Sequence, residues 1–90
     1  MFLVVSYDIP NDKRRNRVFK LLKNYGQWMQ FSVFECSLTK EQLLTMQSRL
    51  IALINSKEDS IRVYIMCEHC RERIVRIGGE KPLNDRFFVV

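Results

Sequence analysis

Residues 2–9 read Phe-Leu-Val-Val-Ser-Tyr-Asp-Ile, and Pro10 follows at once. β-Branched and aromatic residues stand at consecutive positions, so a strand built from them is apolar on both faces. That is the mark of a central strand covered on both sides. Pro10 has no N–H to give a ladder and ends the strand. The chain is therefore organised around a sheet whose first strand lies inside it and finishes in a carboxylate, Asp8.

The rest of the chain supplies neighbours for that strand. Asn11 or Asp12 can cap a helix, and Val18, Leu21, Leu22 and Tyr25 then recur at i, i+3, i+4 and i+7 as one apolar stripe. Gly26 is expected to close this helix in the left-handed conformation. From Gln27 to Leu38 the pattern is that of strands, read as a tight hairpin breaking near Gln30–Ser32. Thr39-Lys40-Glu41-Gln42 is a capping box. It opens a second helix whose apolar face is expected to include Leu43, Leu44, Leu50, Ile51 and Ile54. After a polar turn over 55–59, Ile61, Val63 and Ile65 alternate as a further strand. Ile74–Ile77 reads as a short strand before Gly78-Gly79, and the last four residues, Phe87-Phe88-Val89-Val90, are apolar.

The order β-α-β-β-α-β with an extra C-terminal strand predicts an α+β fold, the ferredoxin-like split arrangement with an antiparallel sheet. Residues 1–78 form the domain, and 79–90 form a tail strand packing on a partner subunit. Both helices of such a fold cover one sheet face and leave the other bare. Burying one large apolar side chain contributes roughly 1.5–3 kcal/mol, so the doubly apolar first strand and the tail both call for a cover. A second copy of the chain meets that need, which predicts a homodimer.

Charge narrows the function. The net charge is +5, and residues 11–24 carry all of it: six Lys/Arg against one Asp, with nine basic and nine acidic groups elsewhere. A sequence pI near 9.4 favours a polyanionic partner. Lys13, Arg14 and Arg15 fall in or near the first helical turn, where cations oppose the helix dipole at a cost of about 0.3–1 kcal/mol each. A solvated face explains Lys20 and Lys23, but it explains this cluster poorly. Lys13, Arg14, Arg15 and Arg17 read instead as a nucleic-acid phosphate site. Asp8 beside them reads as a hard oxygen ligand for a divalent cation; the competing reading is a strand-end turn aspartate. Three cysteines, an odd number, argue for a reducing cytoplasm rather than a disulfide framework. No apolar run is long enough to span a membrane, and no signal-peptide pattern precedes the first strand.

Cys67-Glu68-His69-Cys70 has the spacing of half a zinc knuckle, but no second pair exists to complete it. Cys36 is excluded as a ligand on the expectation that its strand runs parallel to the first, away from Cys67. Free thiols are the expected state. Trp28, Phe31 and Phe34 read as core rather than as base-stacking platforms. A single-strand RNA-binding module is disfavoured because the Lys/Arg-Gly-Phe signature of RNA-recognition motifs is absent.

Taken in order, Tyr7-Asp8-Ile9, Asp12 with Arg14-Arg15, Tyr25-Gly26, Gln30 with Ser32-Val33-Phe34-Glu35, and Asp59-Ser60 leading to Tyr64 resemble the Cas two family of CRISPR-associated proteins. The resemblance runs from residue 2 to about residue 78 and implies a ferredoxin-like homodimer. It implies that Asp8 is the catalytic residue and metal ligand of an endonuclease acting on RNA or DNA with Mg²⁺, or another divalent cation such as Mn²⁺. It also implies a DNA-binding dimer set between two dimers of the Cas one integrase during spacer acquisition. The alternative it carries is a non-catalytic adaptor that holds duplex DNA and docks the integrase. Trp28 stands where many members of that family have arginine.

Overall fold

A computed structural model describes residues 1–78 of the chain. Its elements are β1 (Phe2–Asp8), α1 (Asp12–Leu22), β2 (Gly26–Gln30), β3 (Val33–Ser37), α2 (Lys40–Leu53), β4 (Ser60–Met66) and α3 (Glu68–Glu72). The four strands form one sheet in the order β2-β3-β1-β4. Every neighbouring pair is antiparallel. The doubly apolar β1 is an inner strand, as its composition requires.

Alternation then sets the faces. Leu3, Val5 and Tyr7 of β1 and Phe34 and Cys36 of β3 point to one side. There they join Val18 and Leu22 of α1 with Leu43, Met46 and Leu50 of α2 in a single buried cluster. Both helices therefore lie on one face. The apolar stripe of α2 departs from expectation: Met46 is fully buried, while Leu44 and Ile51 are 55% and 72% exposed. Residues 43, 46 and 50 share a face at helical spacing, whereas 44 and 51 lie about 100° round the axis. Hydropathy alone could not make that distinction. The Thr39 capping box forms as read, with reciprocal bonds between Thr39 and Gln42.

The opposite face is covered in part by the chain itself. Phe2 points away from the helices yet is buried, with the Arg71 guanidinium of α3 4.8 Å from its ring centre. The segment after α3 reaches the β2–β3 side, where Arg76 lies 3.6 Å from Glu35 and 3.3 Å from the Met29 sulfur. Burial raises the Glu35 carboxyl above its ordinary range despite the nearby charges of Arg76 and Arg71. Cover for β1 thus comes partly from within one chain, where the sequence pointed to a second copy. The expected tail strand, Phe87 to Val90, lies outside the described residues. Over residues 74–77 the expected strand reduces to one bridge residue, Arg76.

Two local expectations are corrected. Gly26 does not end α1 in a left-handed turn; α1 closes at Lys23 and Gly26 is already the first residue of β2. Its place is fixed by crowding, because a Cβ there would meet the Cys36 sulfur and the Glu35 carbonyl at less than 3.0 Å. Gly26→Ala is therefore expected to cost about 1–3 kcal/mol through overpacking against backbone that cannot move aside. Urea unfolding checks this, and an unchanged midpoint would refute the crowding account. The second correction concerns Cys36. β3 and β4 both run antiparallel to β1, so Cys36 and Cys67 lie toward the same end of the sheet. Burial, not direction, separates them: Cys36 is 2% exposed and Cys67 faces solvent.

The β2–β3 hairpin breaks where expected. Phe31 takes φ +41°, unusual for a bulky residue, and its carbonyl accepts a 2.8 Å bond from the Trp28 indole N–H. Phe31 is 88% exposed and Trp28 about half exposed, so neither belongs to the core as read; Phe34 does.

Candidate nucleic-acid site at the end of the first strand

Asp8 is the last residue of β1, on the face away from the helices, paired in register with Ser60. Because β-strand side chains alternate, Ser6 shares this face, and Arg62 and Tyr64 stand opposite Ser6 and Val4 on β4. These residues line an open depression of about 270 Å³ formed by Ser6, Tyr7, Asp8, Ser60, Arg62 and Tyr64. Asp8 is its one acid and is solvent-exposed. Tyr64 stands two residues from Arg62 on the same face of β4, and its proximity favours the charged guanidinium. The Tyr7 side chain is buried on the helix-covered face, and burial raises its pKa. Ser6 and Arg62 carry no motif signal, and Tyr64 entered the sequence reading only through the resemblance, with no site role attached. Only strand alternation plus the β1–β4 register could have gathered them.

The cationic segment divides into two kinds of residue. The Asn11 side chain accepts from the Arg14 amide and caps α1. The Arg14 side chain reaches away from the helix. Its Nε donates to Asp59 Oδ2 at 2.7 Å, and Nη2 donates to Asp59 Oδ1 at 3.2 Å and Glu58 Oε2 at 2.8 Å. The Asp59 carboxylate is fully buried and also accepts from the Asn55 amide at 2.9 Å. Arg14 thereby pins the start of α1 to the start of β4, the two chain segments that flank Asp8. Arg15 donates to the Ile9 carbonyl at 3.1 Å and pairs with Asp12. That carbonyl lies just before Pro10, beyond the ladder, so Arg15 fixes the loop after Asp8. Lys13, Arg17, Lys20 and Lys23 remain exposed.

This partition resolves the apparent electrostatic cost at the helix start. Two of the three clustered cations face carboxylates, and the surplus charge is carried by Lys13, Arg17, Lys20 and Lys23. Sequence reasoning grouped Arg14 and Arg15 with the phosphate ligands; the structure gives both an internal task. The signal that could have found it is Asp59, an acid in a polar turn just before an apolar strand.

Hydrogen bonds from Arg14 hold the Asp59 carboxyl below its ordinary value of 3.8. A depressed folded pKa contributes stability that is present above the unfolded value and is lost as pH falls through the folded one. Asp59→Asn is accordingly expected to melt below the wild type at neutral pH, with the gap closing as the medium is acidified past 3.8. Thermal melts across an acid series test this. A gap that stays constant in acid would remove Asp59 as its source.

Among the described residues, no group of three or more His, Cys, Asp or Glu could hold a metal ion. Asp8 with the Ser6 and Ser60 hydroxyls is a hard-oxygen set. It suits a cation that takes one or two carboxylates and fills its other positions with water and phosphate oxygens. No described helix is long and apolar enough to cross a membrane.

A four-stranded antiparallel sheet with two helices on one face and a strand-end acid on the other defines a small mixed α/β domain. The chain belongs to the family described as CRISPR associated protein Cas2, whose model matches residues 1–74. It is 45% identical over 91 residues to a Thermus thermophilus protein named CRISPR-associated endoribonuclease Cas2, covering 99% of this chain and 97% of that one. A Synechocystis protein named CRISPR-associated endoribonuclease Cas2 3 is 48% identical over 85 residues, covering 93% and 91%. The crystal structure of Streptococcus pyogenes Cas2 at pH 6.5 superposes with a TM-score of 0.76 at 38% identity, covering 82% of this chain and 95% of that chain.

Proposed function

We propose that this chain is a divalent-metal-dependent endonuclease of CRISPR adaptation that works as a ferredoxin-like homodimer. The observation that carries this reading is the placement of Asp8. It is an exposed carboxylate at a strand end, in a depression lined with hydroxyls and a guanidinium, next to a helix bearing the surplus positive charge. The relatives' names support phosphodiester cleavage in RNA. The hard-oxygen set supports Mg²⁺ or Mn²⁺ held by Asp8 of both copies, since one carboxylate from one chain makes an incomplete site.

A bound cation of this kind supplies polarisation of a phosphate oxygen and a lowered pKa for water. The chain's own residues do the rest. Lys13 and Arg17 bind backbone phosphates, joined by Lys20 and Lys23. Arg62, beside Tyr64, orients the phosphate nearest Asp8, and the Ser6 and Ser60 hydroxyls donate hydrogen bonds to its oxygens. Arg14 and Arg15 are positioning residues: they hold the loop and strand ends that set Asp8.

The dimer reading draws on the outer edge of β4, which pairs with no further strand among the described residues. Beside it runs an apolar groove of about 370 Å³ lined by Leu50, Ile51, Ile54, Ile61 and Val63 among others, with Ile65 58% exposed nearby. An unpaired edge with apolar flanks accepts an added strand, and the apolar residues 87–90 of a second copy are the segment we assign to it. The adaptor reading, a basic dimer that holds duplex DNA and docks the Cas one integrase without cutting, is favoured by one observation: Asp8 is a single acid in its depression. Cleavage of labelled RNA and DNA by wild type and Asp8→Asn, with Mg²⁺ and with chelator, decides between them. Loss of cleavage with retained binding supports the nuclease, and no cleavage by either protein leaves the adaptor.

A further inference from the structure

Cys67 and Cys70 are both exposed, and their sulfurs lie 3.4 Å apart across the first turn of α3. Neither the sheet core nor the site around Asp8 uses them. Two sulfurs at this separation reach bonding distance by small side-chain rotations, without a change of fold. A metal reading is weaker, because no described third ligand joins them in a metal-holding group.

We infer that Cys67 and Cys70 form a dithiol exchange site that reacts with low-molecular-weight disulfides and closes to an intramolecular disulfide. Cys67 is the attacking sulfur. It accepts a hydrogen bond from the Cys70 amide at 3.4 Å, and this contact, with the Cys70 side chain, lowers its pKa. Cys36 provides the internal contrast. It is buried, and burial together with the Glu35 charge pushes its thiol up to about 11, so it is both hidden and protonated.

The exchange balances in two steps. The Cys67 thiolate attacks one sulfur of a disulfide RS–SR; that S–S bond breaks, RS⁻ leaves and takes up a proton, and a mixed disulfide forms on Cys67. Cys70 then loses its proton and attacks the Cys67 sulfur, releasing the second RS⁻. The chain gives up two protons and two electrons, and the small disulfide becomes two thiols. Cys70, one helical turn away, is placed for the second step, so the mixed disulfide is short-lived. The new bond closes where the chain leaves β4, just before Arg71 packs on Phe2.

Wild type, Cys36→Ser, Cys67→Ser and Cys70→Ser are incubated with oxidised glutathione, quenched with an alkylating reagent and read by intact mass and peptide mapping. The wild type and Cys36→Ser are expected to lose two hydrogens as a Cys67–Cys70 disulfide with no lasting adduct, and dithiothreitol should reverse it. Cys70→Ser should keep one glutathione on Cys67, and Cys67→Ser should react about tenfold more slowly. Because Cys67 and Cys70 face solvent, their variants keep the fold, and circular dichroism verifies this for them and for the buried Cys36→Ser. A stable glutathione adduct on the wild type, a disulfide involving Cys36, a disulfide between two chains, or no reaction would each overturn the assignment.

Discussion

Asp8→Asn is expected to lower Mg²⁺-dependent cleavage by roughly a hundredfold to a thousandfold, the loss usual when a single preorganised electrostatic group is removed. Binding of the uncleaved nucleic acid should stay close to wild type. The substitution keeps volume and one oxygen but removes the charge, and a neutral amide holds a hard divalent cation poorly. Asp8 is exposed and lies outside the core, so the melting temperature should not fall. Chelator should depress wild-type cleavage to the level of the variant and leave the variant unchanged. If a clean Asp8→Asn preparation still cuts at the wild-type rate with Mg²⁺, the chemistry lies elsewhere.

The second large effect concerns the split within the cationic segment. Changing Lys13 and Arg17 together to Ala should weaken binding to all sequences alike and flatten the dependence of affinity on salt. For duplex DNA the slope should fall by about 1.8 per engaged protomer, since each neutralised phosphate contributes about 0.9. Melting temperature should be unchanged, because both side chains are exposed on α1. Arg14→Ala should do the reverse. It leaves the buried Asp59 carboxylate without its guanidinium partner, and an unpaired buried charge is far more costly than a lost surface contact. Arg14→Lys should restore little, because an ammonium cannot reproduce the forked contact to Asp59 and Glu58. Titrations at several salt concentrations, alongside thermal melts, test the division. An unaltered salt slope in the Lys13 and Arg17 variant would place the phosphate contacts on other residues.

Several features follow from sequence because their physics is local. The doubly apolar run at 2–9 made β1 an inner strand. The Thr39 to Gln42 box started α2, and the break at Gln30–Ser32 made the β2–β3 hairpin. The concentration of charge over 11–24 and the strand-end position of Asp8 are likewise readable without coordinates, and the structure places both at the same end of the sheet. α3 went unread. Its five residues are too few for a periodic signal, and the Cys67 cap resembled a metal motif.

Tertiary structure decided the roles that depend on partners distant in the chain. Asp59 is 45 residues from Arg14, and only the folding of α1 against the turn before β4 brings them together. A guanidinium that looks like a phosphate ligand in sequence is here held by two carboxylates. Gly26 looked like a helix stop, but the close approach of β3 is what excludes a side chain there. Leu44 and Ile51 looked like core, yet helix phase turned Met46 inward instead. Composition and spacing determine which elements form and where charge gathers, because those depend on neighbours in sequence. Which charged groups stay available to a ligand depends on contacts across the fold, because an ion pair needs its partner within a few ångströms.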